Sequence, residues 1–235
     1  MPLAFDLTGL KLSAGGMGFL VFCIIGVAML AALARRELTT ELDRRKTLLD
    51  AAAGLLDNPR LTICSDGYPR LDGDSHGHRV RLEIVSDSLV PRRLPQLWLR
   101  STLIASEEAV GPSIGVLARP AGTEFYSRVL CLPDTLTPTF ASDIPMLMRG
   151  GRATEEALQL TSNLFRTLFA DPTLKEAVIT PRGSGIVRQI AEGDRGAHIL
   201  YRQMRFPISQ VSPDLVRNAL GELRMLNDVL RPPLA

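Results

Sequence analysis

Asp72, Asp74, His76 and His78 alternate along "DGDSHGHRVRLE", the densest set of potential ligands in the chain. A calcium loop would take oxygen ligands at positions 1, 3, 5 and 12 around a glycine at position 6. Asp72, Asp74, Gly77 and Glu83 stand at positions 1, 3, 6 and 12, but His76 holds position 5, where an imidazole is a poor substitute. An EF-hand also needs a helix on each side. Tyr68-Pro69 opposes a helix entering, and Arg79 to Val85 alternates like a strand. A transition metal is the second chemistry. Two histidines two apart share one face of a strand and could hold zinc beside Asp72 and Asp74. No third ligand is fixed by spacing, since Cys64 and Asp66 are near in sequence only. The third reading needs no ligand. Gly73 and Gly77 supply positive φ, Asp74 and Ser75 are turn formers, and the stretch is the polar tip of a hairpin joining "YPRL" to "RVRLEIV". The sequence favours this last reading.

Other chemistry is sparse. Ser184 in "RGSG" lacks the G-x-S-x-G elbow, and no histidine is tied to it. Trp98 sits in an apolar strand and reads as a core anchor, with Arg92 and Arg93 a solvated turn. Walker, dinucleotide and zinc-ribbon patterns do not occur, so no cofactor is implied. Cys23, Cys64 and Cys131 are far apart and odd in number, which reads as free, mostly buried thiols in a reducing compartment. A net charge of +2 gives no footprint for nucleic acid. Only Lys11, Lys46 and Lys175 of the 27 basic residues are lysine, a bias that suggests a GC-rich, bacterial genome.

The elements that must position these groups begin with an apolar run, Ser13 to Ala34, which carries no charge. At ~1.5 Å per residue, about 20 such residues cross ~30 Å of hydrocarbon. Ala32-Leu33-Ala34 resembles a signal-peptidase site, but the run is long for a signal peptide and its leader holds Asp6 with only Lys11. An uncleaved anchor is favoured. Arg35, Arg36, Arg44, Arg45 and Lys46 follow it, so the positive-inside rule puts the C-terminal bulk in the cytoplasm. These five would lie at the membrane surface and could touch anionic lipid. Ala14/Gly18 and Ala28/Ala32 are small-xxx-small pairs that permit close helix approach.

Leu38, Leu42, Leu49, Ala52 and Leu56 share a helical stripe, which predicts one helix as far as Asn58-Pro59. Packing of that stripe on its own domain is preferred to dimerisation through it, although a homo-oligomer is possible on this pattern. Beyond Pro59 the period changes to two. Strands are expected over 79–85, 97–105 and 114–119, with Gly111-Pro112 turning between the last two. "EFYSRVLCL" should be extended or a short helix. A helix follows over "RATEEALQLTSNLFRTLFADP", with Leu158, Thr161, Leu164, Phe165 and Leu168 inward. Strands over "EAVIT", "GIVRQIA" and "AHILYRQMRF" come next, and then a helix capped by Ser212 with Pro213 at N1.

The expected architecture is α+β. It comprises a short tail (1–12), a transmembrane helix (13–34), a juxtamembrane helical stalk (35–58) and a soluble, mostly antiparallel β domain with two packed amphipathic helices (59–235). The expected role is a single-pass, membrane-anchored, non-catalytic scaffold, assembly or regulatory subunit. Its partners would be the lipid bilayer and a protein in or at the membrane. The alternatives are a membrane-tethered metal-dependent hydrolase using Asp72, Asp74, His76 and His78, or a small-molecule or lipid sensor with an apolar pocket between sheet and helices.

Overall fold

A computed structural model describes residues 14–89, 93–105, 110–201 and 204–230. The expected tail and Arg92 lie outside the described residues. The chain divides into two units, Met1–Asp43 and Arg44–Ala235. Helix α1 runs over Ala14–Lys46. Phe19, Phe22, Val27 and Leu30 are all exposed on it. An 18-residue window has mean hydropathy 2.3 with none of it buried. Helix α1 is long and apolar enough to cross a membrane.

The helix ends at Lys46, well short of Pro59. Leu48 and Leu49 turn inward and are buried, α2 is a single turn at Asp50–Ala53, and β1 begins at Asp57. Burial of Leu49, Ala52 and Leu56 outweighs continuation of the helix. Within the second unit Leu49, Ala52 and Leu56 of the predicted stripe join the core, and Leu38 is exposed on α1. Pro59 stands in β1 at the sheet edge, where its missing N–H costs least.

Nine strands form one antiparallel sheet among the described residues. They are β1 Asp57–Ile63, β2 Pro69–Ser75, β3 His78–Asp87, β4 Gln96–Ile104, β5 Ser113–Ala118, β6 Asp134–Leu136, β7 Met146–Gly151, β8 Leu174–Thr180 and β9 Gly183–Glu192. Their order is β1-β2-β3-β4-β9-β8-β5-β7-β6. Gly111-Pro112 therefore does not close a hairpin, because β9 and β8 lie between β4 and β5. The inserted strands are buried on both faces over most of their length, with Ala177, Val178, Ile186 and Val187 in the core, and such strands take the sheet centre.

One face is packed by α3 (Glu155–Leu168) and α5 (Pro213–Asp228). Thr154 caps α3 by accepting from the Ala157 N–H, whereas Ser212 makes no side-chain cap bond to α5. Phe165, Leu168, Leu223 and Leu226 meet Leu103, Leu174 and Ile186 in one core. Val216 and Leu220 meet Leu49, Leu82 and Leu97 in a second. The described residues of "AHILYRQMRF" form no strand. Asp194 Oδ1 accepts the Ala197 N–H and its carbonyl accepts that of His198, which starts α4, Arg195–Tyr201. "EFYSRVLCL" is an irregular strap with a 3-10 turn at Val129–Cys131. It covers the other face, with Val129 on Leu117 and Val178, and Tyr126 on Val85, Trp98 and Val187.

Candidate functional site

The hairpin tip is tighter than expected. His76 (φ 49°) and Gly77 (φ 80°) form a two-residue turn between Ser75 and His78, which pair across β2 and β3. Positive φ at both central positions is the hairpin turn whose twist matches that of the strands. Asp72 to Ser75 thus belong to the strand, and Gly73 has no turn role. A Cβ on Gly73 would lie 2.9 Å from the Leu56 Cβ, so this glycine admits the α2–β1 link.

Of the four ligand candidates, Asp72 is ion-paired to Arg81 at 2.7 Å and to Arg70 at 3.3 Å. Asp74 accepts from Asn58 Nδ2, His76 is exposed at the tip, and His78 follows on β3. An open hollow of about 460 Å³ lies beside them, lined by Asn58, Arg60, Asp72, Asp74 and Arg79 among others. Neither histidine lines it. Among the described residues no three His, Cys, Asp or Glu side chains are grouped to hold a metal ion.

What the register does assemble is a lattice of alternating charge on the face away from α5. Arg60, Asp72 and Arg81 stand in one cross-strand row, and Arg70, Glu83 and Arg100 in the next. Arg100 reaches Glu83 at 2.8 Å. Pleating alone puts these residues on one face, and opposite charges face each other across strands. The period-two signal marked the strands, but the pairing depends on register, which spacing along one strand does not reveal.

Under the strap lies a polar group that sequence reasoning missed. Lys175 Nζ meets Glu124 Oε1 at 2.8 Å and donates to the Arg119 carbonyl at 2.7 Å. Glu124 also accepts the Ala121 and Gly122 N–H groups. Burial works against its charge, but Lys175 and the Ala121 N–H outweigh it and hold the carboxyl below its usual range. Glu176, next on β8, accepts the Arg128 N–H at 3.0 Å, and burial pushes its carboxyl up. Tyr126 is raised by burial and then by the carboxylates of Asp87, Glu124 and Glu176. These acids come from three distant parts of the chain. The available signal was "LKEAVIT", a strand with charged residues among apolar ones.

Arginines converge at one end of the sheet. A cavity of about 710 Å³ is bounded by Ser113, Arg128, Cys131, Arg152, Thr180 and Arg182, from the start of β5, the strap, the end of β7 and the β8–β9 turn. Gly185 makes room for Arg128, whose Nη1 lies 3.1 Å from where a Cβ would stand.

The basic set after the apolar run divides. Arg35 and Arg36 are exposed on α1. Arg45 instead donates to the Met204 carbonyl at 2.9 Å and lies 5.2 Å from the Tyr68 ring centroid. Arg44 is half-buried and Lys46 exposed. Ser184 is buried and donates to the Leu223 carbonyl, a structural role. Trp98 is a core residue as expected. All three cysteines are free, as expected, but Cys64 is half-buried and Cys23 and Cys131 are exposed, so the thiols are not mostly buried. Comparisons of this chain with family models, with curated proteins and with solved structures find no match.

Proposed function

We propose that the chain is a single-pass membrane protein whose cytoplasmic α+β domain acts as a non-catalytic scaffold, assembly or regulatory subunit. The observation that carries this reading is how the titratable groups are used. Asp72–Arg81, Glu83–Arg100 and Lys175–Glu124 are closed pairs, and Arg188 joins Asp171 and Glu222. Catalysis needs an acid, a base or a nucleophile converging on an open cavity. Here the acids and bases neutralise one another and stiffen the sheet. The apolar α1 supports the anchor, and the five basic residues that follow the apolar run support the cytoplasmic orientation. The same groups weigh against the hydrolase, because an Asp72 held by two arginines is a poor metal ligand.

The test is purification of the tagged chain from its host in mild detergent, with mass spectrometry of co-eluting proteins and metals. A stoichiometric protein partner is expected. A lone chain carrying stoichiometric metal would overturn the reading. A reporter fused after Ala235 tests the orientation, with activity on the cytoplasmic side expected.

A further inference from the structure

The arginine cavity lies outside the paired groups on which that function rests. Arg128, Arg152 and Arg182 line it with Ser113, and among the described residues none that lines it is Asp or Glu. Among the described residues, neither the Arg128 nor the Arg152 guanidinium has a side-chain ion pair or hydrogen bond. That sets them apart from Arg81, Arg100 and Arg188, which all have partners. Arg128 is half-buried, and burial pushes its pKa down, with Glu176 countering and Arg100 adding to the effect. The Glu176 carboxylate is turned to the Arg128 backbone N–H. A half-buried guanidinium that Glu176 and Glu83 compensate only at a distance is costly, and an anion in the cavity would relieve that cost.

We propose that this cavity binds a phosphate ester, with Arg128 and Arg152 holding the phosphate oxygens. A guanidinium presents a planar fork of N–H donors that matches phosphate, and two forks from different segments can hold one dianion from two sides. Ser113 brings a further hydroxyl donor, whereas the Thr180 hydroxyl is already spent on the Gly183 carbonyl. The cavity is larger than a phosphate group needs, and Leu132 and Pro181 add apolar wall, so an organic body would fit beside the phosphate. The phosphate could belong to a soluble metabolite or to a lipid headgroup.

The test uses the full chain in phosphatidylcholine nanodiscs, titrated with glycerol 3-phosphate by calorimetry. A second arm uses nanodiscs containing phosphatidic acid without the soluble ester and reads the shift in Tm. Arg152→Gln is the main variant, since Arg152 is exposed and its loss should not impair folding. Arg128→Gln is the second, and Arg217→Gln is the control, because Arg217 pairs with Asp214 on α5. Saturable binding weakened about tenfold by Arg152→Gln and Arg128→Gln, and unmoved by Arg217→Gln, is expected. A response confined to the phosphatidic acid arm, with the same dependence on Arg152, assigns a headgroup. The proposal is overturned if neither arm responds, or if Arg152→Gln binds as well as the parent. A failure here is distinct from the absence of a co-purifying partner, because the two readouts are independent.

Discussion

Lys175 and Glu124 form a 2.8 Å ion pair in which both side chains are almost wholly shielded from water, and the pair ties the strap to β8. Removing one partner leaves the other charged and buried. Glu124→Gln is expected to cost about 3–5 kcal/mol, whereas Glu124→Gln with Lys175→Met should recover much of that. Urea denaturation of the two variants checks this. The pH sign follows from the carboxyl, which is held below its ordinary value in the folded state. Its stabilising contribution is present above the unfolded Glu value, about 4.3, and is lost as pH falls through the folded value. Parent stability should therefore drop on acidification below about pH 4, with a flatter profile in the double variant.

Tyr126 offers the opposite case. Among the described residues its buried hydroxyl has no hydrogen-bond partner, and its ring sits 5.8 Å from that of Trp98. A buried donor left unsatisfied costs about 1–3 kcal/mol. Tyr126→Phe keeps the ring and removes that cost, so the variant should be as stable as the parent or more stable, by up to about 1 kcal/mol. Thermal denaturation followed by Trp98 fluorescence checks it. A loss of more than 1 kcal/mol would mean that the hydroxyl has a partner.

These two residues also show where the sequence stops being readable. Alternation in Arg79–Val85 places β3, and apolar runs place β4, β5, β8 and β9, because burial on one or both faces leaves its mark at period two or as a continuous run. α3 is legible from its 3–4 spacing and its stop at Pro172. The stretch 197–206 reads as a strand through Ile199, Tyr201 and Phe206, and the Asp194 cap that decides for α4 is a single residue. The strap was illegible for another reason. Glu124, Tyr126 and Arg128 take their meaning from Lys175, Glu176 and Asp87, far along the chain, and no local period encodes that meeting. The arginine cavity likewise gathers residues from four segments. The hairpin tip was readable because a turn is local.

Gly77 and Gly183 both adopt positive φ, at 80° and 122°, yet their surroundings differ. A Cβ on Gly77 would meet nothing within 4 Å, whereas one on Gly183 would fall 1.9 Å from the Leu103 carbonyl oxygen. Gly77→Ala should cost about 1–2 kcal/mol, the price of a left-handed conformation alone. Gly183→Ala adds a clash with backbone that β4–β9 pairing cannot relieve, and should lose more than about 4 kcal/mol or fail to fold. Expression yield and denaturant midpoints of the two variants, side by side, check the contrast. Equal effects would show that the clash is relieved by backbone movement.

The basic residues after the apolar run should separate into two functions when mutated. Arg45 is tied to the Met204 carbonyl and the Tyr68 ring, while Arg35 and Arg36 are exposed. Loss of a charged donor to the Met204 carbonyl and of a cation–π contact amounts to about 1–2 kcal/mol. Arg45→Gln should therefore lower the Tm of the detergent-solubilised chain by several degrees, as expected for a loss of that size. Arg35→Gln with Arg36→Gln should leave the Tm unchanged. The reporter fused after Ala235 reads the other function. Removing two of the positive charges nearest the apolar run weakens the charge bias on which the proposed orientation rests. A fraction of the double variant should then expose its reporter on the outer side, while Arg45→Gln, which removes one charge, should shift orientation less. If Arg45→Gln alters orientation more than the Arg35/Arg36 pair does and leaves the Tm unmoved, then Arg45 acts at the membrane surface and its contact with Tyr68 contributes nothing.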